Sequence, residues 1–300
     1  MTRHATRTLG LGLVLAALLM LPQAAGAAGT VAIGSATRSG DTLTVTGTST
    51  YTDQPFVELG TDGTGDTFLP GQDVMGADLT AAFISTRANN QLQIRWQVAS
   101  LPPNLNGSPT GIAYGASFCV NEAQCWDVDA QRMGLGAGST NPVAYLWTCG
   151  DPTCAPAQQT NSVSLAAPVF DATARTITAT VGLGQIGATP GSKITPSAAS
   201  TDGPWFVWVG DATVSVNSGL ADGVPEIAEY TVPGKQVSVA VGAPGLDPAS
   251  VTYGTTVTPS GTGAYSAAVN VAGLSGDQAV YVRACLGEGN CAYATQAVTL

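Results

Sequence analysis

Four carboxylates, Asp62, Asp66, Asp73 and Asp78, stand among glycines and a proline in the stretch 62–78, DGTGDTFLPGQDVMGAD. Such a loop can offer oxygens to a hard cation, because calcium takes about six to eight ligands from carboxylates, carbonyls and water. The spacing follows no EF-hand loop, and acidic turn residues also cap turns and carry solubilising charge. Both readings stand on the sequence alone.

Aromatic side chains bring a second chemistry. Tyr145 and Trp147 alternate onto one face of the strand-like run 143–149, VAYLWTC, and planar rings can stack on the apolar face of a sugar. Phe206 and Trp208 alternate in the same way, with Trp205 on the opposite face, but rings in so apolar a run are ordinarily core. Tyr145 and Trp147 are therefore the candidate carbohydrate-binding pair. Asp127 and Asp129 point away from the Trp126 and Val128 face and read as solvated strand residues rather than a catalytic pair.

The one histidine, His4, lies at the start of the chain. Without an imidazole further on, Ser-His-Asp and Cys-His catalysis, His-ligated zinc and His-ligated haem are excluded. Paired carboxylates hydrolyse glycosides without histidine, yet no pair is singled out by its spacing. No catalytic residue is assigned.

Residues 1–27 set Arg3 and Arg7 ahead of an apolar run from Leu9 to Leu21 and close on Ala25-Gly26-Ala27, the layout of a secretory signal peptide. The run is too short to span a membrane, and no later stretch is apolar enough to do so. Losing Arg3 and Arg7 leaves eight basic against twenty acidic residues, a net of minus twelve. So acidic a product has no basic run with which to hold nucleic acid or an anionic lipid surface.

Six cysteines in an exported chain read as disulfides. Cys119 and Cys125 flank VNEAQ, Cys149 and Cys154 flank GDPT, and Cys285 and Cys291 flank LGEGN, so each pair brackets a turn. Pairing in that order closes three short loops, each contributing about 2 kcal/mol in the loop-entropy view.

These side chains need strands to hold them. In 91–100, QLQIRWQVAS, Leu92, Ile94, Trp96 and Val98 alternate with polar residues, the period of a half-buried antiparallel strand. Similar runs recur between Gly, Pro, Asn and Asp breaks, and no helical period follows the leader. Residues 31–37 and 42–49 read as a hairpin about Ser39-Gly40-Asp41. The Gly-, Pro- and Ser-rich stretch between Leu183 and Pro204 reads as a long loop. The fold is all-β: a large antiparallel β-sandwich over 28–233, a short Pro233-Gly234 linker, and a small immunoglobulin-like β-sandwich of about five strands over 235–300.

The opening GTDGTGD with PGQDV and ADLTAAFI, then LQIRWQVASLP, YGASFCV and CWDV, resembles the DOMON-like and family-nine carbohydrate-binding-module sandwiches and the C-terminal domain of glucodextranases. The resemblance runs from about Gln54 to Val232. It implies a sandwich in which sugar binding, structural calcium and haem binding all occur. If calcium carries over, Asp62, Asp66 and Asp73 are the matching positions. Haem-binding members use histidine and methionine, and beyond the leader only Met75 and Met133 are present, so neither haem nor zinc is expected.

The sequence thus points to a secreted, non-catalytic binding protein that recognises a polysaccharide or a cell-envelope component. The alternatives are a structural or adhesive envelope protein that binds another protein, and a glycosidase accessory or weak glycoside hydrolase.

Overall fold

The computed structural model describes residues 29–64, 78–102, 110–133, 142–151, 154, 159–206, 220–224, 228–287 and 289–300. Among them the chain is all-β, with only two short 3-10 turns, at Leu183–Ile186 and Pro248–Ser250. No helix among these residues is long and apolar enough to cross a membrane.

The large sandwich has two sheets. One contains β3 (Val57–Thr61), β4 (Leu79–Arg87), β5 (Gln91–Val98), β10 (Val169–Asp171) and β11 (Thr176–Gly182), in the order β10-β11-β5-β4-β3. The other contains β6 (Thr110–Val120), β7 (Gln124–Met133), β8 (Val143–Cys149), β9 (Gln159–Ser164), β12 (Lys193–Phe206) and β13 (Leu220–Gly223). Its order is β13-β12-β6-β7-β8-β9, and the short β14 (Tyr230–Thr231) also pairs with β12.

The period-two patterns explain the core. Leu92, Ile94, Trp96 and Val98 of β5 are buried together with Ile177, Ala179 and Val181 of β11. The facing sheet contributes Tyr114, Ala116, Phe118 and Val120 from β6, Val128 and Ala130 from β7, and Leu146 from β8. Each such large side chain stabilises the fold by roughly 1.5–3 kcal/mol through burial. Trp96 also ties the sheets together, its Nε1 donating to the Gly115 carbonyl at 2.9 Å. Arg132 is buried at the end of this core, where Nη1 donates to the Pro102 carbonyl at 2.6 Å and the guanidinium lies over Phe170.

Two expectations change. The stretch read as a loop between Leu183 and Pro204 instead holds β12, which pairs along β6 with register shifts at Pro196/Ala198 and Asp202/Trp205. Those bulges let a strand with a proline and small residues follow its neighbour without an alternating pattern.

The N-terminal hairpin, placed by the sequence with residues 28–233, belongs to the other sandwich. β1 (Val31–Ser39) and β2 (Thr42–Ser49) form a three-stranded sheet with β17 (Ala264–Asn270), in the order β1-β2-β17. Opposite it lie β15 (Lys235–Gly242), β16 (Thr255–Val257), β18 (Asp277–Leu286) and β19 (Cys291–Thr299), in the order β16-β15-β18-β19. The result is a seven-strand sandwich of immunoglobulin type, with the large one inserted between β2 and β15. The physical reason is the core: Leu43 and Val45 are fully buried against Val237, Val239, Val269, Val280 and Val282.

The chain crosses between the sandwiches twice, and Gln54 sits at the crossing. Its backbone N donates to Thr86 O at 3.0 Å, its carbonyl accepts from Ser85 Oγ at 2.7 Å, and its side-chain Nε2 donates to Leu286 O in β18. Gly287 has φ 71°, a conformation that favours glycine, and a Cβ there would displace the Gln54 amide from its place beside Leu286 O.

Candidate functional site

The alternation that buries Val128, Ala130 and Leu146 must turn the intervening residues of β7 and β8 to the outer face of the same sheet. The antiparallel register then sets them side by side. Asp127 pairs with Trp147, Asp129 with Tyr145, and Cys125 with Cys149. On one flank β6 brings Ser117 beside Asp127 and Gly115 beside Asp129. On the other, β9 brings Ser162 beside Trp147 and Ser164 beside Tyr145.

Tyr145 and Trp147 are half-buried, with ring centroids 6.2 Å apart and planes inclined at 48°. They form a bent aromatic platform with hydroxyls on one side and carboxylates on the other. The sequence selects this pair, but it does not bring Asp127 and Asp129 to the pair.

Asp127 departs from the solvated residue expected of it. It is 7% exposed, accepting from Ser117 Oγ at 3.0 Å on Oδ1 and from Gln159 Nε2 at 3.0 Å on Oδ2. Asp129 is half-buried and its Oδ2 accepts from Gln131 Nε2. The missing side chain of Gly115 leaves a notch between Asp127 and Ser200 of β12, since a Cβ there would lie 3.4 Å from Ser200 Oγ and 3.8 Å from Asp127 Oδ1.

One end of this face is closed by sulfur. The disulfides Cys119–Cys125 and Cys149–Cys154 pair as the spacing predicts, as does Cys285–Cys291 in the small sandwich. Because Cys125 and Cys149 are register partners, the first two bridges lie against each other as one buried cluster. Gln159 spans from that cluster to the carboxylate, donating to both Asp127 Oδ2 and Cys154 O.

The acidic loop contributes less. Asp62 follows β3 and its backbone N donates to Thr80 O at 2.9 Å, while Asp66 and Asp73 lie outside the described residues. Asp78 is buried at the foot of β4. Among the described residues no group of three or more His, Cys, Asp or Glu side chains could hold a metal ion. Trp208 and residues 1–27, read from the sequence as a signal peptide, also lie outside them, and Trp205 and Phe206 fall at the end of β12.

Sequence reasoning missed Ser117, Gln159 and the burial of Asp127. The available signal was the shared alternation of 124–133 and 143–149, but the residues between the two runs hide which position pairs with which. No protein-family model, no curated protein and no solved structure matches this chain.

Proposed function

We propose that the protein is a secreted, non-catalytic polysaccharide-binding protein that takes up its ligand on the outer face of the β6-β7-β8-β9 surface. The observation that carries this reading is the tilted Tyr145–Trp147 pair in one register with Asp127, Asp129 and the serines of β9. Rings offer stacking area to a sugar ring, and carboxylates and hydroxyls accept and donate to its hydroxyl groups. Three disulfides accord with an extracellular setting.

The carboxylates support binding over hydrolysis. Asp127 and Asp129 are two positions apart on one strand, to one side of the rings, whereas glycoside hydrolysis needs carboxyls flanking the scissile bond.

Retention on insoluble polysaccharides tests the reading, run with the full chain and with the double variant Tyr145→Ala/Trp147→Ala. Retention by the parent and its loss in a folded double variant is the expected result. Equal retention by both would place binding elsewhere.

A second reading rests on β19. This edge strand, CAYATQAVT, has no charged residue and no proline to block pairing. An adhesive protein that adds a partner's strand there would bind cell-wall protein rather than glycan, and would ignore the double substitution.

A further inference from the structure

Three cysteines of the large sandwich stand in one row. Cys119, Cys125 and Cys149 are register partners in turn across β6, β7 and β8, with Thr195 of β12 beside Cys119. Opposite residues of antiparallel strands share a face, and with Cys154 these cysteines are buried as one sulfur cluster, each at most 7% exposed.

Cys125 thus stands between two cysteines and is bonded to one of them. Register partners on neighbouring strands bridge twice in this chain, at Cys119–Cys125 and Cys285–Cys291, with Cα separations of 4.0 and 4.1 Å. Directly opposite residues of antiparallel strands lie about 4.5–5.5 Å apart, inside the range of about 4.4–6.8 Å that a disulfide spans. Cys125 and Cys149 can therefore be bridged with the strands in place. Cys149 is instead held by Cys154, whose backbone is left-handed at φ 47°. That conformation is costly for a residue other than glycine, so opening this bridge releases strain.

We propose that the row is a disulfide relay. A small dithiol reduces Cys149–Cys154 to two thiols and leaves as its own cyclic disulfide. The Cys149 thiolate then attacks Cys125 Sγ: the Cys125–Cys149 bond forms, the Cys119–Cys125 bond breaks, and Cys119 departs as a thiolate that takes up a proton in place of the one Cys149 lost. This second step involves no net oxidation, since one thiol and one disulfide enter it and one of each leaves. Thr195 favours it, because its Oγ1 is buried on the row beside Cys119 and has no hydrogen-bond partner among the described residues. A buried hydroxyl is costly while only a disulfide lies beside it, and becomes a charge-assisted donor once a thiolate does. The covalent link moves from the β6–β7 hairpin to β7 and β8, the strands that carry Asp127 and Trp147.

Cys154→Ser in the full chain leaves Cys149 a free thiol from the start, so the exchange runs without a reagent having to enter. The variant is incubated in mildly alkaline buffer, quenched in acid, labelled with N-ethylmaleimide and mapped by mass spectrometry of non-reduced peptides. The expected result is label at Cys119 as well as Cys149, together with a Cys125–Cys149 peptide pair. About a tenth or more of the label should sit at Cys119, the share left by a tenfold preference for the native bridge. Label at Cys149 alone overturns the proposal. The unsubstituted chain, treated with less than one equivalent of dithiothreitol and mapped in the same way, should give the same Cys125–Cys149 pair, and this arm does not depend on a variant that folds. Cys119 and Cys125 appearing together as thiols, with no such pair, overturns the proposal as well. So does any cross-link from the row to Cys285 or Cys291, which would mean exchange through unfolded chains; circular dichroism on each sample reports the fold.

Discussion

Asp127 and Trp147 are register partners across β7 and β8, and the carboxylate of the pair is buried between the Ser117 hydroxyl and the Gln159 amide. This aspartate is a fixed part of the surface on which the Trp147 ring lies. Its removal should therefore be felt in both stability and binding.

Asp127→Ala leaves the donors of Ser117 and Gln159 without this acceptor in a site of low exposure. A cost of about 1–3 kcal/mol is expected, read as a lower urea midpoint with an unchanged slope. Asp127→Asn keeps the shape and one acceptor oxygen and should lose less.

Removing the second bridge tests the span from Cys154 to Asp127. The short loop between Cys149 and Cys154 limits the direct stability cost of Cys149→Ser/Cys154→Ser to about 2 kcal/mol. Freed from its neighbour, Gln159 should hold Asp127 less firmly, so polysaccharide retention should fall while the Cys119–Cys125 bridge stays intact by mass spectrometry under non-reducing conditions.

Leu43→Ala opens a hole in the small sandwich. At full burial the change should cost about 2–5 kcal/mol. Hydrogen exchange should accelerate in β15, β17 and β18 and leave β5 and β6 protected, because Leu43 belongs to the core of the small sandwich. Equal acceleration in β5 and β6 would mean that the two cores open together.

Alkali should weaken the same sandwich. Burial pushes the phenols of Tyr253 and Tyr265 up to about 12, while Arg283 opposes part of the shift at Tyr253. A folded-state pKa above the unfolded one means that the folded chain holds more protons, so stability is complete below about pH 10 and falls as pH rises toward 12. Tyr265→Phe should flatten that decline in a pH series of thermal melts, at the loss of its hydrogen bond to Ala32 O.

Much of the fold could be read from alternation. The run 91–98 buries every second residue as its pattern requires, and the three disulfides follow from their spacing. Alternation failed at β12, where a proline and bulges replace a clean period, so packing rather than pattern makes the strand. It also placed β1 and β2 in the wrong sandwich. A hairpin is a local signal, whereas the pairing of Thr48 with Ala264 is set by a core whose other half comes much later in the chain. At the candidate site, the pattern fixed which face Asp127 occupies but not its burial, which depends on neighbouring strands.

The insertion of one sandwich into the other also has a temporal side. β2 is synthesised before the whole large unit and β17 after it, so closing the small sandwich from an extended chain means bridging a very long loop, at a cost that grows with loop length. Once the large unit has folded, Tyr230 OH lies 2.8 Å from Thr86 Oγ1 and 3.5 Å from Gln54 Oε1, so the two ends of that loop already meet. The inserted sandwich then acts as a clasp, and the strands it separates in sequence need search only a short distance for one another.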